Sequence, residues 1–142
     1  MTPNQIALLR ETWATVIPDA DSVAQEFYRR LFEIDPSAAA LFAGTDMARQ
    51  RSMLLQALGH VMEKVDQAES LMPTLEKLGR RHVNYGVEDQ HYVSVGIALI
   101  ATLEQLLGSA FTEDVRAAWT AAYTLVSDTM RPAAVEPREA AA

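Results

Sequence analysis

The sequence contains no cysteine. Disulfides, thiolate nucleophiles and Cys-ligated zinc or iron–sulfur sites are thereby excluded. Glycine and proline are scarce, six of each, and most sit where helices would end. No run of about 18 or more apolar residues occurs, so no transmembrane helix is expected. The opening Met-Thr-Pro-Asn-Gln lacks the basic and apolar blocks of a signal peptide. Positive charge is in the minority: 12 Lys and Arg stand against 19 Asp and Glu, for a net charge of −7. That balance disfavours nucleic acid and anionic membrane as partners. These absences predict a soluble, cytoplasmic protein. Strand-like alternation, internal repeats and hairpin signals are also missing.

What is present reads as helix. The 142 residues fit one domain, and 49% hydrophobic content supplies a substantial core. Thr2-Pro3-Asn4-Gln5 is a helix start with a capping box. Ile6, Leu9, Trp13 and Val16 follow on one face until Pro18 stops the helix. Asp19 and Asp21 offer caps for a second helix with the stripe Ala24, Phe27, Tyr28, Leu31 and Phe32. Asp35-Pro36 starts a short third helix through Leu41-Phe42. Thr45 or Asp46 caps a long helix from Met47 to about Val65, with Gln50, Leu54, Leu58, Val61 and Val65 on one face. His60 lies roughly 80° around that helix from Gln50 and is read as a surface or packing histidine. Glu88-Asp89 caps a helix carrying Tyr92, Val95, Leu99, Leu103 and Leu106, ended by Gly108. Thr112 caps the last helix, with Val115, Ala118, Trp119, Ala122, Leu125, Val126 and Thr129 inward and Pro132 as its stop. Residues 1–132 are the predicted domain. Residues 133–142, rich in Ala, Glu and Pro, are predicted to be a disordered tail.

The segment from Leu71 to Val87 organises the rest. Pro73 suits a first helical turn and Gly86 a left-handed helix end. Between them Leu75, Leu78 and His82 share one face. His82 therefore points into apolar surroundings. It is read either as a core histidine satisfied by a backbone carbonyl or as a ligand for iron or zinc.

Taken together, these residues resemble a globin. Pro36 lies six residues before Phe42, and His82 lies forty after it. Trp13 fits the first helix of the family. The closest resemblance is to bacterial single-domain haemoglobins of the flavohaemoglobin group. It is carried by Glu26-Phe27-Tyr28-Arg29-Arg30-Leu31-Phe32, Leu78-Gly79-Arg80-Arg81-His82, Tyr85-Gly86-Val87 with His91-Tyr92, and Ala118-Trp119 with Tyr123. Gln50-Arg51-Ser52-Met53-Leu54 resembles the distal helix of a member of that group. The resemblance covers about residues 3–130.

It implies an all-α globin fold of six to eight helices around a pocket for haem b. His82 is the implied iron ligand. Phe42 would stack near the porphyrin, and Tyr28, Gln50 and Leu54 would form the distal pocket. Val87, Val95, Tyr92 and Tyr123 would approach from the proximal side and the later helices. Arg81 or Arg49 would meet a propionate. A Tyr hydroxyl and a Gln amide are both donors that can stabilise bound O2. The group also carries a Glu that bonds the proximal His and the residue matching Tyr92; the matching position here is about Ala134, so that carboxylate is absent. The implied ligands are O2, with NO and CO as further gases. The implied function is reversible O2 storage, buffering or delivery. The alternative is NO dioxygenation, an enzyme activity for which no flavin or NAD region follows, so that an external reductase is expected.

Overall fold

In the computed structural model, which describes the backbone of residues 1–141 and the side chains of residues 1–131, the chain begins as its first residues dictate. Thr2 Oγ1 accepts the Gln5 N–H at 3.1 Å, and Gln5 Oε1 accepts the Thr2 N–H at 3.0 Å. That capping box starts α1 (Pro3–Val16). Pro18 lies in a 3-10 turn, Ile17–Asp19, that leads into α2 (Ala20–Ile34). Asp19 holds the N-cap position of α2 without a side-chain bond. Asp35 caps α3 (Pro36–Leu41), accepting the Ser37 N–H at 3.1 Å. Asp46, not Thr45, caps α4 (Met47–Lys64) through the Arg49 N–H. Then follow α5 (Ala68–Asn84), α6 (Asp89–Leu107) and α7 (Glu113–Ala141). No strand occurs among the described residues.

Three expectations need correction. α5 begins at Ala68, so Pro73 lies inside the helix rather than at its start. Pro73 leaves only the Glu69 carbonyl without a partner, and both residues are exposed, so water can satisfy it. α7 continues past Pro132 to Ala141, where a stop and an irregular tail were expected. The alanines at 133, 134, 140 and 141 favour helix and oppose the two prolines in this stretch, Pro132 and Pro137. Residue 142, the end of that expected tail, lies outside the described residues. Finally, Asp89–Ala110 is long and apolar enough to span a membrane by length and composition alone, with mean hydropathy 1.5. Counting unbroken apolar runs missed it because Ser94, Thr102 and Glu104 interrupt the stretch. In this fold the segment packs against α2 and α7.

α5 lies along α7, and α2 lies along α6. The first contact is intimate at Gly79. A Cβ there would overlap the Met130 carbonyl oxygen. Gly79→Ala gains about 1 kcal/mol of helix propensity. Overpacking costs roughly 1–3 kcal/mol or more when, as here, backbone must yield. A net loss of stability in chemical denaturation is therefore expected, and a variant at least as stable as the parent would show that the two helices can separate freely.

The core also holds a polar tie. Trp119, 2% exposed, donates its indole N–H to Thr12 Oγ1 at 2.8 Å, and Thr12 donates to the Leu8 carbonyl at 2.8 Å. Thr12→Val keeps the shape but leaves the indole N–H buried without an acceptor. That costs about 1–3 kcal/mol. The denaturation midpoint should fall accordingly, and an unchanged midpoint would mean the bond is not holding α1 to α7.

Candidate functional site

His82 occupies the last turn of α5, below Leu75 and Leu78 on the same face. Its Nδ1 lies 2.6 Å from the Leu78 carbonyl. A carbonyl can only accept, so Nδ1 carries the proton and Nε2 keeps its lone pair. Nε2 has no hydrogen-bond partner among the described residues. Burial holds the ring's pKa below the usual 6.5, so the imidazole is neutral at pH 7. The two readings of His82 therefore meet in one geometry. The backbone carbonyl satisfies one nitrogen and aims the other. Val87 N–H closes α5 on the His82 carbonyl at 3.1 Å, with Gly86 at φ +82 making the turn.

Tyr92 reaches His82 from α6, the ring centroids 6.4 Å apart and inclined by 32°. Its hydroxyl is buried and lacks a partner among the described residues. Burial raises its pKa, so it remains a phenol. The Arg131 guanidinium stands 5.9 Å over the Tyr92 ring and pairs with Asp89 at 3.5 Å. Tyr123 was expected to approach the same pocket. It instead donates to the Tyr92 backbone carbonyl at 2.5 Å and packs on Gly96. It braces Tyr92 from behind.

A second group of side chains forms around Tyr28 of α2. Its ring lies 5.0 Å from Phe27, 5.9 Å from Phe32 and 5.5 Å from Phe42. Leu54 of α4 and Val95 of α6 pack on this cluster. Gln50 Nε2 donates to the Tyr28 hydroxyl at 3.1 Å. Because Tyr28 accepts that bond, its own proton is free to be donated. Burial raises the Tyr28 pKa, which keeps that proton in place. Leu99 packs on both this cluster and the one that includes Leu78, Val87 and Tyr92. The Tyr28 and His82 halves thus meet across α6. Arg81 and Arg49 are exposed and join no ion pair among the described residues. His60 is half-buried on α4.

One network was not anticipated. His91 Nδ1 accepts the Glu88 N–H at 2.9 Å, so its Nε2 carries the proton toward Ser37 Oγ at 3.0 Å. Ser37 and Ser94 both donate to Asp35, at 2.5 and 2.8 Å. Serine, histidine and aspartate are present, but Asp35 does not touch His91, so no nucleophile relay exists. The network clamps α3, and with it Phe42, to the start of α6. The only sequence signal was a pair of polar residues, His91 and Ser94, facing inward at a spacing of three.

These residues fit a flat, largely apolar cofactor that carries a metal. Phe42, Leu54, Leu78, Val83, Val87 and Val95 are apolar yet only half-buried. Each therefore leaves apolar surface uncovered on or beside the elements that carry His82 and Tyr28. The unpartnered Tyr92 hydroxyl beside His82 is a further sign of space the protein does not fill. Two surface grooves, of about 550 Å³ between α6 and α7 and about 890 Å³ beside Met1, Met72 and Leu125, contain neither His82 nor Gln50.

The family model described as Globin matches residues 25–130. A flavohemoprotein of Bordetella parapertussis is 29% identical over 130 residues, 90% of this chain and 32% of that protein. One from Vibrio cholerae is 30% identical over 125 residues, 87% of this chain and 32% of that protein. The chain thus spans about a third of the length of these relatives. A bacterial globin of Campylobacter jejuni superposes with a TM-score of 0.84 at 22% identity, covering 97% of this chain and 99% of that one. A hexacoordinated heme protein from an anhydrobiotic tardigrade superposes with a TM-score of 0.85 at 17% identity, covering 94% and 95%. With helices, clusters and family model in agreement over most of its length, the chain belongs to the globin family.

Proposed function

We propose that this globin holds haem b with His82 as the iron ligand and binds O2 reversibly, for storage, buffering or delivery. The observations that carry the proposal are the bare Nε2 of His82 beside one cluster and the free Tyr28 proton in the other, the two clusters being joined through Leu99. Ferrous haem supplies an open coordination position for a diatomic gas. The protein's residues supply the rest. Leu78 fixes the imidazole tautomer and orientation through Nδ1. Gln50 holds Tyr28 with its proton available. Leu54, Phe42 and Val95 keep water from the ligand side. Gln50 is a poor iron ligand, and His60 does not share its helix face, so no internal side chain is placed to close the gas position. The tardigrade protein named above is described as hexacoordinated; this chain is proposed to differ on that ground. We place it in the cytoplasm.

A second reading is NO dioxygenation, favoured by the likeness to flavohemoproteins. NO, O2 and one electron give nitrate, and the electron comes from an outside reductase. Tyr28 and Gln50 serve this reaction equally well. On the His82 side, no carboxylate among the described residues bonds the Tyr92 hydroxyl, and the Arg131–Asp89 pair is the charge beside it, which supports the first reading. NO consumption by the oxygenated protein, followed with and without a reductase, separates them. Stoichiometric consumption that stops after one equivalent supports the binding role. Sustained turnover with reductase supports the enzyme.

A further inference from the structure

Reversible O2 binding and NO oxidation both require iron returned to the ferrous state, hence a source of single electrons. We propose that the exposed cationic stripe Lys77, Arg80 and Arg81, ending at Tyr85, is the docking surface for an acidic one-electron donor protein. This rests on the function proposed above.

The stripe is unusual in this molecule. Between Ser70 and Val87 the chain has these three cations and a single acid, Glu76, although its net charge is −7. Spacings of three and four place the cations on one face of α5. All three are exposed. None joins any of the seven ion pairs among the described residues, whereas six other arginines are each paired with a carboxylate. One turn further on, Tyr85 is 60% exposed. Its ring lies edge-on to His82, the centroids 5.9 Å apart. The charges therefore lead to a surface aromatic in contact with the imidazole assigned to the iron.

Electrostatics select the partner. An acidic protein approaching this acidic chain is repelled over most of its surface. Attraction arises where unpaired cations cluster, within a screening length of about 8 Å at physiological salt. Such steering raises association rates by roughly 10- to 1000-fold and weakens with ionic strength. Redox encounters use small, transient interfaces below about 1,200 Å², a size that one helix face and one aromatic can provide. An anionic membrane also attracts cations, but insertion needs a broad apolar face, and only Met72 and Tyr85 are exposed large apolar residues on α5 and its end. In the encounter the donor loses one electron and ferric iron gains it; no bond forms between the proteins and no atom is transferred.

The test uses flavodoxin, an acidic FMN protein, as probe. Oxidised flavodoxin, which cannot donate, is titrated into the labelled haem-loaded protein in its diamagnetic CO form. Amide shifts should concentrate on residues 77–86 and weaken about tenfold in Lys77→Glu/Arg80→Glu, in line with electrostatic steering. Reduction of the ferric protein by reduced flavodoxin should slow by a similar factor in that variant and with added salt, while Lys77→Arg should behave as the parent. Shifts elsewhere, shifts indifferent to charge reversal, or binding to phosphatidylserine vesicles in place of flavodoxin would overturn the proposal. A protein that shows a Soret band and binds O2 but fails these tests loses only the docking surface. A protein without a Soret band loses the proposed function as well.

Discussion

His82→Ala is expected to lose the Soret band of the purified protein, with added haem passing off the protein on gel filtration. Among the described residues, His82 is the one histidine whose Nδ1 is fixed by a backbone carbonyl while its Nε2 is left without a partner. His91 uses both of its nitrogens, one for the Glu88 N–H and one for Ser37. His60 lies on α4, off the face of Gln50. His91 could take over only by breaking bonds it already has, and His60 stands on another helix, away from the Leu75–Leu78–His82 face. A metal–nitrogen bond is far stronger than the apolar contacts that remain, and second-shell orientation alone is worth 10- to 100-fold in affinity, roughly. Added imidazole should restore part of the binding, because alanine leaves the space and the Leu78 carbonyl in place. Normal haem retention and an unchanged ferrous spectrum in the variant would refute the assignment.

Tyr28→Phe should speed O2 dissociation by roughly ten- to a hundredfold while leaving CO dissociation nearly unchanged. O2 draws negative charge from ferrous iron, and CO draws little. A hydrogen bond to a charged acceptor contributes about 1.5–3 kcal/mol, and each ~1.4 kcal/mol is a factor of ten in rate. The geometry favours Tyr28 as the donor because Gln50 already donates to its oxygen. Gln50→Leu should act in the same direction and more weakly, since it frees Tyr28 to turn rather than removing its proton. The two effects should fall short of additive, because the residues are bonded to each other. Stopped-flow O2 displacement decides the matter. Dissociation within about twofold of the parent, twofold being about 0.4 kcal/mol, would make Tyr28 a core residue only.

Local rules carried most of the helix map. The starts of α1, α3 and α4 were legible from Thr2, Asp35-Pro36 and the pair Thr45-Asp46, because each cap is settled by atoms two or three residues away. The His82 face was legible for the same reason: its orienting bond runs to Leu78, one turn earlier. The start of α5 was not, because whether a proline breaks a helix depends on whether its orphaned carbonyl faces water. Continuation of α7 past Pro132 was a similar contest, between two prolines, Pro132 and Pro137, and several alanines. The Ser37–His91–Asp35–Ser94 clamp joins residues more than fifty apart in part of its span, so no local pattern could reveal it. The bracing position of Tyr123 depends on Gly96, a partner on another helix. Pairing of Tyr28 with Gln50 across two helices was anticipated only through the family resemblance, since nothing in their spacing implies contact.

The most direct measurement is the absorption spectrum of the haem-loaded protein, reduced without oxygen, then exposed to O2 and flushed again with inert gas. A five-coordinate ferrous spectrum that O2 converts and deoxygenation restores is the predicted result. A ferrous spectrum with the sharp paired bands of a low-spin six-coordinate haem, or irreversible oxidation on first contact with O2, would contradict it.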